Sequence, residues 1–414
     1  MTEHGPKLHA TLGASSCYRW WECPGSVRLT ANIKDTGSDF AAEGTAAHAL
    51  AEAVLTGRHQ HASRYRGSWI CAETDVIVPH KPDAATLKKS RWFEVTDEMA
   101  DAVQVYVDAV RELYDDVAGD RLMVEQRFDL GANFAPMFGT ADAVVYKPAS
   151  KSLHVLDLKY GRGVAVEART GEGFGGVNRQ ALYYGLGAIL SLPRDMPVTS
   201  VEVVIVQPRA PHPDGPIRRA TVDAYDMLEW RAELLLAAER TLEPDAPLKS
   251  GGWCKFCAAS GFCPRLREDA IEAAQMQFSS DPSELTPDEI ARILSAAEDV
   301  ENWIKAVRSY AYDALSRGDA IPGWKLVPKR ATRKWASDDE DTADALRLLG
   351  LGDDELYKRT LVTPAQAEKL LPKEDREALA SLTVKESSGS TMAREDDVRP
   401  RAAGRRNAQD DFDD

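Results

Sequence analysis

Residues 138–160 read FGTADAVVYKPASKSLHVLDLKY, two apolar runs joined by a segment of turn composition, Lys147 to Lys151. That pattern predicts a hairpin of two strands. Side chains alternate along a strand, so Asp157 and Lys159 share one face, and the hairpin can bring Asp142 alongside them. Two acids and an amine on one sheet face cost free energy unless they bind something. Mg2+ or Mn2+ suits the acids, because hard cations take oxygen ligands. The lysine could then orient or activate a water for attack on a phosphodiester. Taken alone, a D-x-K triplet reads as a solvated face with an incidental ion pair, so the order of the flanking segments matters.

Upstream, RLMVEQRFDL reads as a further strand, and TDEMADAVQVYVDAVRELYDDV as an amphipathic helix. Thr96 is its expected cap, Asp97 and Glu98 occupy its first turn, and Met99, Val103, Tyr106, Val110, Leu113 and Val117 form its apolar stripe. Earlier still, EGTAAHALAEAVL is rich in helix formers, and Thr56 to Phe93 reads as an irregular insertion. Downstream, a Gly-rich stretch precedes a helix, RQALYYGLGAIL, and a buried strand, VTSVEVVIVQP. Helix, three strands, helix, strand predicts the α/β class, a mixed sheet flanked by helices. A helix AYDMLEWRAELLLAAERTL then leads into WCKFCAASGFCP, and SELTPDEIARILSAAEDVENWIKAVRSYAYDALSRG reads as a long helix or a pair. GWKLVPKRATRKW reads as a strand-like basic element, small helices follow, and the polar stretch from Glu386 is expected to be disordered.

Hydrophobic content of 43% and charged content of 28% are ordinary for a soluble globular chain. A net charge of −15 argues against a protein that coats nucleic acid non-specifically, though metal-binding carboxylates contribute to it, as do late segments such as SDDEDTAD and QDDFDD. No apolar run approaches the ~20 residues that cross a bilayer, and MTEHGPKLHA lacks signal-peptide features, so a cytoplasmic protein with no membrane partner is expected. In a reducing compartment the six cysteines, Cys17, Cys23, Cys71, Cys254, Cys257 and Cys263, read as metal or cluster ligands rather than disulfides.

Four motifs occur in order: Gly44-Thr45-Ala46-Ala47-His48, Gly139-Thr140-Ala141-Asp142, Asp157-Leu158-Lys159, and Gln180 with Tyr184. Together they resemble the PD-(D/E)XK nuclease superfamily, in its RecB-like branch, with Ala141 where many members carry proline. The resemblance implies a restriction-endonuclease-like fold. It makes His48, Asp142, Asp157 and the Leu158 carbonyl the metal ligands. Lys159 becomes the residue that orients water, with Gln180 and Tyr184 contacting DNA or supporting it. Glu43 is at most an outer partner of this site.

Cys254-x2-Cys257-x5-Cys263-Pro264 gathers three thiols, one short of a zinc or cluster ligand set. Iron–sulfur members of the branch, among them the CRISPR adaptation exonucleases and AddB-type nucleases, place one cysteine before the His-bearing helix and three after the core. Cys23, followed by Pro24, is the better match to that first ligand, with Cys17 the alternative and Cys71 a buried apolar residue. A [4Fe–4S] cluster is therefore expected as a structural staple, with Zn2+ as the competing occupant.

Lys325, Lys329, Arg330, Arg333 and Lys334, enclosed by Trp324 and Trp335, could hold DNA phosphates and bases, or be a solvated strand edge. Arg19, Trp20 and Trp21 beside Cys23 read as packing. Phage and prophage nucleases of the branch carry a similar basic element. The expected organisation is a cysteine-bearing segment (1–38), a nuclease core closed by the cysteines (39–270), a helical extension with the basic element (271–385) and a tail (386–414). The expected activity is a Mg/Mn-dependent deoxyribonuclease, an exonuclease in phage recombination, replication or processing. Its partners would be duplex ends or single strands and a phage recombination or single-strand-annealing protein. The alternative is an inactive nucleic-acid-binding or assembly protein on the same fold.

Overall fold

The computed structural model describes residues 10–33, 39–57, 59–130, 137–163, 165–171, 176–275, 285–327 and 339–348, with residues 352 and 356. The chain divides into two units, Met1–Leu326 and Val327–Asp414. The first opens with short helices α1 (Cys17–Glu22) and α2 (Gly25–Thr30), followed by α3 (Asp39–Thr56). Residues expected to be irregular instead form a small antiparallel sheet, with β1 (Trp69–Cys71) between β2 (Ile77–Val78) and β3 (Trp92–Glu94). Strands this short carry no readable alternation. A turn of helix, α4 (Ala84–Leu87), precedes β3.

Helix α5 (Asp97–Leu113) begins where the sequence predicts, with the Thr96 hydroxyl accepting from the Met99 N–H. Met99, Val103, Tyr106 and Val110 are buried as the stripe requires, but Val117 is 98% exposed. The helix stops short of it because Asp115 accepts from the N–H groups of Val117 and Ala118, turning the chain away.

The main sheet runs β4 (Arg121–Asp129), β5 (Phe138–Lys147), β6 (Ser152–Leu158), β7 (Ser200–Val206), β8 (Ile217–Asp223) in spatial order. Only β6 and β7 pair parallel, with α6 (Arg179–Ser191) lying in the crossover that such a pair needs. The sequence reading lacks β8, since IRRATVD sends Arg218 inward among its apolar positions. Its guanidinium is satisfied there by the Val166 carbonyl and Gln207 Oε1.

Helices α3 and α5 cover one face of this sheet, packing Leu50, Val103 and Tyr106 with Ala143, Leu156 and Leu158. On the other face, α6 and α7 (Ala224–Arg240) pack Leu182, Leu186 and Met227 with Val144, Val155 and Val203. Burial on both faces explains why β5, β6 and β7 read as nearly continuous apolar runs. A Cβ at Gly187 would fall 2.6 Å from Phe128 Cβ, so α6 approaches the sheet at a distance only glycine allows. This is the α/β class expected, a mixed sheet flanked by helices.

The first unit continues with α8 (Pro264–Gln275) and α9 (Pro287–Arg317), a single helix opened by a Thr286–Glu289 capping box. The described start of the basic element makes only an isolated Ile321–Trp324 bridge, not a strand. In the second unit, α10 spans Asp339–Leu348. No helix among the described residues is long and apolar enough to cross a membrane.

One ion pair offers a test of this packing. Asp120, ahead of β4, accepts from Lys147 Nζ at 2.8 Å and from the Asp115 N–H at 3.0 Å. Burial alone would raise its carboxyl, but these bonds hold it below the usual range. A carboxyl depressed on folding contributes stability above its unfolded pKa of about 3.9 and loses it as pH falls through the folded value. Asp120→Asn is expected to cost about 2 kcal/mol at pH 7 and to approach the wild-type chain near pH 2 in urea unfolding. An equal deficit at both pH values would contradict this.

Candidate functional site

One end of the sheet collects its polar residues by a break in strand alternation. Strands β4 and β5 pair Val124 with Ala143 and Gln126 with Ala141, so Glu125 and Asp142 stand opposite each other between those pairs. Glu125 has φ 47°, a left-handed conformation uncommon outside glycine. On its two sides the inward positions switch, for Met123 and Phe128 both pack toward α6, as do Val144 and Ala141 on β5. Across from this break, α3 supplies His48, and ligand atoms of His48, Glu125 and Asp142 lie within 4.8 Å of one another.

The β5–β6 ladder ends at Ala143–Leu156, and the Asp142 carboxylate takes over by accepting the Leu158 N–H at 2.7 Å. Its other oxygen lies 3.2 Å from His48 Nδ1. Asp157 is buried, with Lys159 Nζ donating to Oδ1 at 3.2 Å and lying 2.9 Å from Oδ2. That second contact lacks hydrogen-bond geometry, leaving Oδ2 buried with charge beside it but no hydrogen bond. Lys159 Nζ also donates to Gln180 Oε1 at 2.9 Å, and Gln180 Nε2 donates to the Tyr184 hydroxyl at 3.1 Å. Asn178 caps α6 and so sets Gln180 in its first turn, facing Lys159.

Close packing explains one motif glycine. A Cβ at Gly139 would sit 2.9 Å from Tyr184 Cε1, displacing the ring that holds Gln180. Nothing lies within 4 Å of a Cβ built at Gly44, and the Thr45 hydroxyl bonds back to the Ala41 carbonyl. Of that motif, His48 is the residue in the site. Glu43 is held by Arg209, 3.4 Å away, outside the carboxylate group.

The charges divide the acids. Burial disfavours the Asp142 carboxylate, but His48, the Leu158 N–H and Lys159 hold its pKa below the usual range. Asp157 is pushed up by burial and by the negative charge of Asp142, against the pull of Lys159. Burial acts to lower His48, yet Asp142, Glu125 and Asp157 outweigh it and raise the imidazole to about 9. Three groups with oxygen or nitrogen donors, His48, Glu125 and Asp142, together with the orphaned Asp157 oxygen fit a hard divalent cation. The sequence reading missed Glu125. The polar run Glu125-Gln126-Arg127 marks none of its members, and the turn of its side chain depends on the positive φ.

The cysteines form a second cluster. Residues after α1 dock on the segment before the cysteine turn, where the Lys249 N–H donates to Cys23 Sγ at 3.3 Å and the Gly25 N–H to the Pro247 carbonyl at 3.0 Å. Burial raises the Cys254 thiol to about 11, with Cys257, Cys23 and Cys263 each adding to the shift. Cys257 is likewise pushed up by burial. Cys17 is buried in the α6-side core, and Cys71 is buried on β1 with its Sγ 3.5 Å from Glu73 Oε2. The structure thus gathers Cys23, Cys254, Cys257 and Cys263. Trp21 stacks on Trp230 with centroids 5.9 Å apart, Trp20 is buried, and Arg19 donates to Ser26 Oγ.

Lys325 and Trp324 are exposed, while Lys329, Arg330, Arg333 and Lys334 lie outside the described residues. Among solved structures, one described as "Crystal structure of SSO0001" is similar at 16% identity, covering 39% of this chain and 67% of that chain, with a TM-score of 0.23. A family profile described as "Protein of unknown function (DUF2800)" matches residues 9–400, and the chain belongs to that family.

Proposed function

We propose that this chain is a Mg2+- or Mn2+-dependent DNA nuclease of the PD-(D/E)XK type, acting as an exonuclease in phage DNA recombination, replication or processing. One observation carries the reading. His48, Glu125 and Asp142 converge within 4.8 Å, beside the orphaned Asp157 oxygen and the Lys159 ammonium. His48, Glu125, Asp142, Asp157 and the Leu158 carbonyl would hold the cation, which supplies charge stabilisation at the scissile phosphate. Lys159 orients the attacking water. Gln180 accepts from Lys159 only through its amide oxygen, and the Tyr184 hydroxyl, by taking the amide N–H, fixes that orientation.

End-labelled linear duplex, single-stranded and closed circular DNA, incubated with Mn2+, Mg2+ or chelator, test the activity. Linear substrates should be degraded with either ion and spared by chelator. No cleavage of any substrate with any metal would refute the proposal. Glu125→Gln is expected to weaken Mn2+ binding at least about tenfold in calorimetry, given what supporting groups alone contribute at metal sites. Unchanged affinity would remove Glu125 from the ligand set.

The same reading places a [4Fe–4S] cluster on Cys23, Cys254, Cys257 and Cys263. Tetrahedral zinc with bonds of about 2.3 Å sets its thiolates about 3.8 Å apart. Four thiolates suit either occupant, and the order of one cysteine before the His-bearing helix and three after the core, as in the iron–sulfur members of the branch, supports the cluster. Iron and sulfide analysis of anaerobically purified protein checks it, and one zinc per chain without iron would overturn it.

A further inference from the structure

Cations that follow the strand ends at the site are spent within the chain. Lys159 is held by Asp157 and Gln180, Arg162 pairs with Glu98, and Arg209 pairs with Glu43 and Glu98 while lying over the Tyr160 ring. Arg127, on β4, differs from them. It is exposed, and among the described residues its guanidinium meets no carboxylate and no other acceptor. Its central carbon instead lies 3.8 Å from the centre of the Phe138 ring. That contact fixes one flat face of the group and leaves its N–H donors uncommitted.

Arg127 also shares its face of the sheet with the site. It pairs with Thr140 in the β4–β5 ladder, and Phe138, Thr140 and Asp142 alternate along one side of β5. Gly139 and Phe128, paired with each other beside them, face α6 instead. At about 3.4 Å per residue, Phe138 lies about 13 Å along the strand from Asp142. Thr140, midway, is exposed. Gly44 stands one turn before His48 on the same side of α3, and among the described residues nothing lies within 4 Å of a Cβ built on it. No side chain therefore obstructs the approach to His48 and Asp142 at that position.

We propose that Arg127, braced on Phe138, binds a backbone phosphate of the substrate strand a few nucleotides from the scissile one, so that the strand runs from the carboxylates along the Asp142–Thr140–Phe138 row. A guanidinium offers paired N–H donors that match phosphate oxygens, and the ring beneath it holds that edge in place before DNA arrives. The chain carries a net charge of −15, so its hold on a polyanion depends on cations that no internal acid neutralises. Phosphate contacts position the strand without reading sequence. The inference rests on the nuclease reading of the site.

Fluorescence anisotropy of labelled linear duplex and single-stranded oligonucleotides, with Mn2+ and the full chain bearing Lys159→Ala to keep the DNA uncut, tests it. Adding Arg127→Ala should weaken binding about tenfold, the worth of one charge-assisted hydrogen bond. It should also flatten the dependence of log affinity on log salt by about 0.9 for duplex or about 0.7 for single strands, the loss of one phosphate contact. Arg127→Lys should keep the salt slope. Arg231→Ala, which removes an equal charge from the exposed side of α7, should alter neither quantity. With Lys159 intact, Arg127→Ala should raise KM for linear DNA and leave kcat unchanged. An unchanged salt slope in Arg127→Ala, or an equal loss in Arg231→Ala, would overturn the proposal and leave the nuclease reading standing. If the chain binds no DNA and the wild type cleaves none with any metal, the nuclease reading fails and this inference falls with it.

Discussion

Lys159→Ala is expected to slow Mn2+-dependent DNA cleavage by about a hundred- to a thousandfold, the usual effect of deleting one charged group that acts in the transition state. Mn2+ affinity should hold or rise in the same variant, because removing the ammonium beside Asp157 withdraws a positive competitor for that carboxylate. This split distinguishes a group that acts on the reacting water from one that only builds the site. Gln180→Ala should give a smaller loss of about tenfold, since it leaves Lys159 in place but frees the ammonium from its 2.9 Å contact. Rates from single-turnover cleavage of end-labelled linear DNA, set beside calorimetric Mn2+ affinities, check both. Equal rates for wild type and Lys159→Ala would end the nuclease reading even if metal binds.

The largest stability effect is expected at Cys23. It lies more than two hundred residues before Cys254, so a shared metal or cluster closes most of the first unit into one loop. If that closure acts on the unfolded chain as a disulfide does, it contributes roughly 5 kcal/mol. Cys23→Ser should then lower the melting temperature by about 10–20 °C and release the bound metal. Cys71→Ala, buried but outside the cluster, should cost far less. The effect should also reach the candidate active site. Cys23 directly follows α1, whose Glu22 pairs with Arg179 at 2.7 Å, and Arg179 precedes Gln180 on α6. Loosening α1 therefore loosens the helix end that holds Lys159. A Cys23→Ser protein that melts with the wild type and keeps its metal would remove Cys23 from the ligand set.

Much of this was legible in the primary structure because the interactions concerned are local. Period-two alternation placed Asp157 and Lys159 on one strand face, and four-residue helical spacing placed Gln180 and Tyr184 together on α6. The Thr96 cap was equally readable, since its hydroxyl bonds three residues ahead. What stayed hidden depends on contacts between distant segments. Strand β8 conceals its pattern because the inward Arg218 finds its partners in Val166 and Gln207. Glu125 joins His48 and Asp142 only through a left-handed backbone turn that no residue type announces. Cys17 and Cys23 stand at the start and just past the end of α1, six residues apart. Tertiary packing sends the first into the core and the second to Lys249 beside the cysteine turn. Local periodicity thus put Asp157 and Lys159 on one face of a strand, and the order of the motifs singled out Asp142. The choice among chemically equal candidates fell to the packing, because burial and distance are properties of the folded chain and not of neighbours in sequence.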